Sequence, residues 1–407
     1  MSYFRVYINP KDDFGNFTGY QEVTSDVDQS SISKISRKLD NNEYDVGVLK
    51  YNSFNLSLRN EHGKYSDVST VQSIFRDKRG GSKIKVNWQI QDYQSICGIA
   101  ISGKAKITPE VTVFEGILSD DSTRLSIDNQ KISFTAISFE SIFDEVETPY
   151  SSLANGDLFS EALLTVLNQS QITSILTVSA SNINVDLDIA IDDVSDLENT
   201  TVKEALDSIL FASNSVLYIK NSTVYISSRD GQGSSLKTFY GQASNNGIED
   251  IVKISDVSTG RNRVFNLFTW KDTALVSKNS TSIDQNGVRK KEVDFPLITN
   301  SSKKQSILDQ LKTEFSELKQ EMKVSVTMTY ESLAIDILSV IKIDYPTVLY
   351  PTTIGATVPI YGVSKYGQAY YPTGSYGMTI LTSQSFKVLG IEIDTKNQIL
   401  TFEIKEE

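Results

Sequence analysis

The sequence predicts a mainly β protein in which two antiparallel β-barrels flank a smaller α+β unit. Three observations predict it. Strict apolar/polar alternation dominates residues 44–143, helical periodicity replaces it between 157 and 210, and alternation returns from residue 324 to the end. A period of two marks half-buried strands and a period near 3.6 marks one face of a helix.

In the first part, Phe54, Leu56 and Leu58 alternate with Asn55, Ser57 and Arg59, and Ile84, Val86, Trp88 and Ile90 alternate with Lys85, Asn87 and Gln89. Ile132, Phe134 and Ala136 repeat the pattern. Turn clusters at 60–63, 79–81 and 128–130 separate these runs, as expected of short antiparallel strands. The first barrel is therefore assigned to residues 1–148.

The unit at 149–235 opens on a helix over 157–167, with Asp157 as its cap and Phe159, Ala162, Leu163, Val166 and Leu167 on one face. A second helix starts at Thr201, whose spacing to Glu204 is that of a capping box. SVLYIK, the two-residue turn Asn221-Ser222 and TVYISS then read as a hairpin. GQGSS at 231–235 marks a boundary, which leaves 236–407 for the second barrel. Within it, Ile307, Leu311, Phe315, Leu318 and Met322 predict a helix over 301–321, followed by alternation in Val324, Val326 and Met328 and a closing pair around Lys396-Asn397.

Composition narrows the function. With 51 acidic and 39 basic residues the formal net charge is -12, the wrong field for gripping a nucleic-acid backbone. One cysteine, Cys97, and one histidine, His62, exclude an intrachain disulfide and multi-ligand Cys/His zinc sites. His62 lies in a turn, and Cys97 reads as a small buried hydrophobe. The acidic groups Asp26/Asp28, Asp120/Asp121 and Asp192/Asp193/Asp196 lack the register of a calcium loop, and no nucleotide, metalloprotease or nucleophile-elbow motif occurs. No catalytic residue, cofactor site or metal site is therefore assigned. The amino terminus lacks the pattern of a secretory signal and no apolar run reaches membrane-spanning length, which predicts cytoplasmic synthesis and no membrane embedding. Lys303 and Lys304 open the long helix, where the dipole disfavours cations.

Residues 346–377 form a segment rich in tyrosine, proline and glycine, too rich in the last two for a helix. Two readings stand: its rings pack on their own barrel, or they form a contact loop in which Tyr361, Tyr366, Tyr370, Tyr371 and Tyr376 bind a protein partner. Sugar stacking on the same rings is a third.

Four segments together resemble the tail-hub proteins of tailed bacteriophages. They are 44–67 with its "sLrN" strand and turn, 111–145 with the VFEGIL strand and closing hairpin, the helix and hairpin of 200–229, and the long helix running into 323–346 with the closing pair of 386–406. The tyrosine-rich stretch is longer than that pattern has. The resemblance implies a homotrimer whose two barrels per chain present six to a six-fold tube. It implies a structural, non-enzymatic virion protein at the tail tip, assembled in the host cytoplasm. Such a hub would join the tail tube or distal tail protein to a central spike or fibre and line a passage through which DNA slides without sequence-specific binding. A receptor- or glycan-binding tail protein and a cell-wall hydrolase are the alternatives.

Overall fold

The computed structural model describes residues 2–407 except 13–15, 33, 40–45, 51, 67–73, 76–80, 91–109, 127–129, 149–151, 198–199, 230–234, 242–249, 259–263 and 352–377. The first part contains β1 (Ser2–Asn9), β2 (Gln21–Glu22), β3 (Lys34–Leu39), β4 (Gly47–Lys50), β5 (Ser53–Arg59), β6 (Lys83–Ile90), β7 (Val111–Ser126) and β8 (Lys131–Ser138). Six of these form a sheet in the order β2-β1-β6-β7-β8-β5. Residues 23–28 join its two edges: the Val23 amide donates to the Val6 carbonyl, the Asp28 amide donates to the Ser57 carbonyl, and Val27 pairs with Leu58. Joining the edges in this way covers part of the ladder that an open sheet would expose. Its interior holds the alternating residues read from the sequence, including Leu56, Leu58, Ile84, Val86, Trp88 and Phe134, all buried.

The next part supplies helix α1 (Phe159–Leu167), α2 (Val202–Ala212), β9 (Ser215–Lys220) and β10 (Thr223–Ser228). The Thr201 hydroxyl accepts from the Glu204 amide at 3.2 Å and the Glu204 carboxylate accepts from the Thr201 amide at 3.0 Å, the reciprocal box expected from their spacing. Asn221 and Ser222 turn the β9–β10 hairpin with φ of 50° and 54°, the left-handed pair that matches strand twist in a two-residue loop. Asp157 does not cap α1. Its carboxylate accepts from the Ala154 amide, and the helix start is served by Glu161 and by Asp188, a residue 28 positions away from the Ser160 amide that it accepts from.

The last part contains β11 (Lys237–Tyr240), β12 (Ile251–Ser258), β13 (Leu267–Trp270), β14 (Val276–Lys278), α3 (Ser280–Asn286), β15 (Lys290–Val293), α4 (Ser301–Phe315), β16 (Glu321–Thr327), β17 (Val340–Pro351), β18 (Met378–Asp394) and β19 (Ile399–Glu406). Strands β11, β17, β18, β19, β16 and β12 pair in that order, and the Asp250 amide joins the edges by donating to the Tyr240 carbonyl. This is the second barrel, and its core strands repeat the first. In β5 to β8, as in β16 to β19, the first strand pairs with the fourth, the second with the third and the third with the fourth, all antiparallel. The schemes part at the next neighbour, where β1 runs antiparallel to β6 but β11 runs parallel to β17.

Long-range pairing departs from the linear division of the sequence. Strand β3 leaves the first barrel to pair with β18, and β4 links β3 to β9, so one ten-stranded sheet runs through the chain. Helix α4 is also shorter than the expected 301–321 and packs elsewhere. It stops at Phe315 because the Phe315 carbonyl accepts from the Phe265 amide and the Ser316 hydroxyl is held by Asn279. Met322 already belongs to the alternation of β16. The buried face of α4, Ile307, Leu308, Leu311 and Phe315, lies in one apolar cluster with Phe159, Leu163, Leu206 and Ile209 of α1 and α2 and with Phe268 and Trp270 of β13. Lys303 and Lys304 are satisfied locally: Lys303 pairs with Asp192 and the Ala190 carbonyl, and Lys304 lies over the Trp270 ring at 5.0 Å. Among the described residues no helix is long and apolar enough to cross a membrane.

Candidate functional site

Among the described residues a cleft of about 340 Å³ lies where the two barrels and the β9–β10 hairpin meet. Strand β3 places Arg37 in its floor. The guanidinium pairs with Asp336 at 2.9 Å and donates to the Ile219 carbonyl at 3.1 Å, so one side chain touches the second barrel and the hairpin together. Lys220 at the hairpin end reaches the same Asp336 at 3.1 Å. Strand β7 contributes Glu115, and Glu110 immediately precedes that strand. Glu110 accepts from Arg5, Tyr7 and Asn87, and Glu115 accepts from the Ser222 amide at 2.7 Å.

Burial acts on all three central carboxyls, and their partners decide the outcome. Glu140 is pushed up by burial, against weaker opposition from Ser138 and Arg37. Glu115 is also raised by burial, partly offset by the Ser222 amide and by Lys85. At Asp336 burial is overruled by Arg37 and Lys220, which hold the carboxyl low. The acids are thus committed to internal donors: Glu110, Glu115 and Asp336 each accept from groups of the same chain. The arrangement joins the first barrel, the second barrel and the hairpin through charged groups.

A pH effect follows from Glu140. Its native carboxyl keeps a proton to higher pH than the unfolded chain does, so it costs stability as pH rises from the ordinary glutamate value of 4.5 through the raised native value. Glu140→Gln cannot ionise. We expect it to unfold at higher denaturant than the parent at pH 7–8, by about 1 kcal/mol, with the gain vanishing below pH 4.5. A loss of stability at neutral pH would show that Glu140 is ionised and held by a charge partner.

No family profile matches the chain, and no curated protein does. Solved structures do. The crystal structure of the tail protein from Neisseria meningitidis MC58 aligns with 100% of this chain and 96% of its own at a TM-score of 0.54 and 12% identity. The 43 kDa tail protein of prophage MuSo2 from Shewanella oneidensis aligns over 99% and 97% at 0.52 and 10% identity. Prophage tail protein gp18 from Listeria monocytogenes EGD-e aligns over 99% and 94% at 0.53 and 10% identity. The chain has the phage tail-protein fold. At 10–12% identity the likeness is one of fold and not of side chains.

On this tail-protein fold the tyrosines expected to make contacts, Tyr361, Tyr366, Tyr370, Tyr371 and Tyr376, lie outside the described residues, as does Cys97. The strands that lead to the tyrosine-rich stretch are described: β17 and β18 stay paired out to Pro351 and Met378. His62 sits in a 3-10 turn with φ of 58°. Asp26 and Asp28 accept from Lys64 and Lys131, and Asp192 accepts from the Thr299 and Asn300 amides at the start of α4. The cleft residues Arg37, Glu115, Glu140 and Asp336 have no signal in the sequence beyond being polar positions beside alternating strands, because what gathers them is pairing between strands over 350 positions apart.

Proposed function

We propose that the chain is a structural virion protein, a homotrimeric tail-tip or baseplate hub that joins the tail tube or distal tail protein to a central spike or fibre. The observation that carries this reading is the repeated pairing scheme of β5–β8 and β16–β19 within one chain. Three copies of a chain with two like barrels offer six similar positions to a six-fold tube and three-fold features to a central partner, through heterologous contacts that close into a ring. The end-to-end fold likeness to phage tail proteins supports a place in the virion. The formal net charge of -12 suits a passage from which phosphate is repelled, so that DNA slides without being held. The work is geometric, and the internally paired acids of the cleft support a protein without catalytic activity.

The test is the particle itself. The purified chain is expected to form a species near three times 45.3 kDa, and in a density map of the assembled tail the two barrels should superpose by a rotation of about 60° about the tube axis. Barrels related by any other operation overturn the hub. Clearing of purified peptidoglycan that is abolished by a single carboxyl change would overturn the non-enzymatic reading.

A further inference from the structure

The described residues form two apolar cores. One runs through both barrels, from Phe4 and Trp88 to Val388 and Phe402. The other fills the mixed unit, formed by 139–228 together with 264–316. They come together along β4 and β9, where the period-two alternation of a strand sends Leu49 and Val216 into the barrel core and Val48 and Leu217 into the other. Away from that line Ile117 of β7 also packs against the mixed unit's core, and the polar contacts across the seam share one recurring pattern. Cations on barrel strands reach backbone carbonyls or rings of the mixed unit, in addition to the carboxylates that some of them face. Arg37 of β3 donates to the Ile219 carbonyl at 3.1 Å, Lys83 of β6 to the Ile175 carbonyl at 2.6 Å and Lys387 of β18 to the Arg229 carbonyl at 2.6 Å. Lys405 of β19 lies 5.4 Å from the centre of the Phe315 ring.

We propose that the mixed unit is a separately moving body, carried on a rigid pair of barrels and pivoting on the short β4–β9 bridge. The bridge is two residue pairs long, Gly47 with Val216 and Val48 with Leu217, and the Val48 amide donates to Asp207 beside it. By contrast the barrels are joined to each other by the five-residue β3–β18 ladder and by a shared core. A polar seam can part and rewet at small cost because water replaces each bond, whereas parting an apolar core exposes area that nothing restores. Interfaces of this kind permit relative motion of the bodies they join, and a two-pair ladder gives the motion an axis. The inference stands whether or not the chain is a hub.

The test uses the full chain with dyes on cysteines placed at Ser181, exposed in the mixed unit, and Lys396, exposed at the turn before β19, with Cys97 replaced by serine. Single-molecule energy transfer should show a distance distribution about twice as wide in Arg37→Met/Lys83→Met as in the labelled parent. If that variant does not fold, Lys83→Met alone removes one seam bond and is read the same way. Hydrogen exchange supplies the second readout. The Ser222 amide, which donates across the seam to Glu115, should exchange about tenfold faster in the variant while the Leu206 and Ile209 amides in α2 keep their parent rates. An unchanged distribution, or a rise spread evenly through α2, overturns the proposal, the first because the units are then one body and the second because the mixed unit is then unfolding.

Discussion

Replacing Arg229 with methionine should lower stability by about 3–5 kcal/mol, one of the two largest effects expected of any single change in this chain. Arg229 is 2% exposed at the end of β10. Its guanidinium pairs with Glu314 at 2.9 Å and lies 4.3 Å from the centre of the Phe315 ring. Methionine fills part of the space but leaves Glu314 buried with a weaker set of cations. Burial alone would push the Glu314 carboxyl up, and Arg229, Lys319, Lys387 and Lys405 together hold it below the ordinary glutamate range. A carboxyl lowered in the native state contributes stability above its unfolded value and loses it as pH falls through the native one. The gap between parent and Arg229→Met, measured by urea unfolding, should therefore be widest near pH 7 and narrow in acid. Arg229→Met/Glu314→Gln should recover part of the loss, since a neutral pair no longer asks for a counter-charge. Arg229→Lys should fall between, because an ammonium keeps the charge but not the planar stack on Phe315. A neutral-pH loss of well under 1 kcal/mol would mean that water reaches the pair and screens it.

The same cluster shows why local order was legible in the sequence and long-range order was not. Capping at Thr201, the Asn221-Ser222 turn and the buried stripes of α1 and α2 are settled within a few residues, where spacing and side-chain chemistry act directly. The alternation in β5, β6 and β8 likewise survives in the structure because each strand has one face in a core. What periodicity does not carry is the partner. An apolar face is the same whether it meets a barrel or another layer, so nothing in Ile307, Leu311 and Phe315 tells that α4 packs on β13 and β14 in the core it shares with α1 and α2. The seam is hidden for a further reason: its acceptors are carbonyls, which every residue has, and its donors are ordinary strand lysines and one arginine. The extra turn and a half expected for α4 failed on chemistry from another segment, the Phe265 amide at the Phe315 carbonyl.

Gly116 is the residue at which a sequence motif acquires a physical reason, and changing it should damage the first barrel as severely as losing Arg229 damages the seam. In VFEGIL it is flanked by Glu115 of the cleft and Ile117. A Cβ at this position would lie 2.0 Å from the Ile137 carbonyl oxygen, 2.7 Å from its carbon and 2.9 Å from the Ser138 Cα. All three are backbone atoms, so no rotamer change relieves the clash and β8 itself must move. Ser138 is fixed from the other side, its amide donating to the Asn52 carbonyl at 2.8 Å and its hydroxyl accepting from the Asn52 amide at 2.9 Å. Movement of β8 therefore strains its ladders with both β7 and β5. Gly116→Ala should cost about 3 kcal/mol or more, and Gly116→Val should prevent the barrel from closing. The control is Gly156→Ala. Gly156 has φ of 100° but nothing within 4 Å of a Cβ, so only backbone strain of about 1–2 kcal/mol is expected there. Hydrogen exchange locates the damage: amides of β7 and β8 should lose protection in Gly116→Ala while Leu206 and Ile209 keep theirs, since the mixed unit has its own core. If Gly116→Ala matches the parent in unfolding midpoint, the close approach of β7 and β8 is not what demands glycine, and the motif owes its form to contacts made outside the chain.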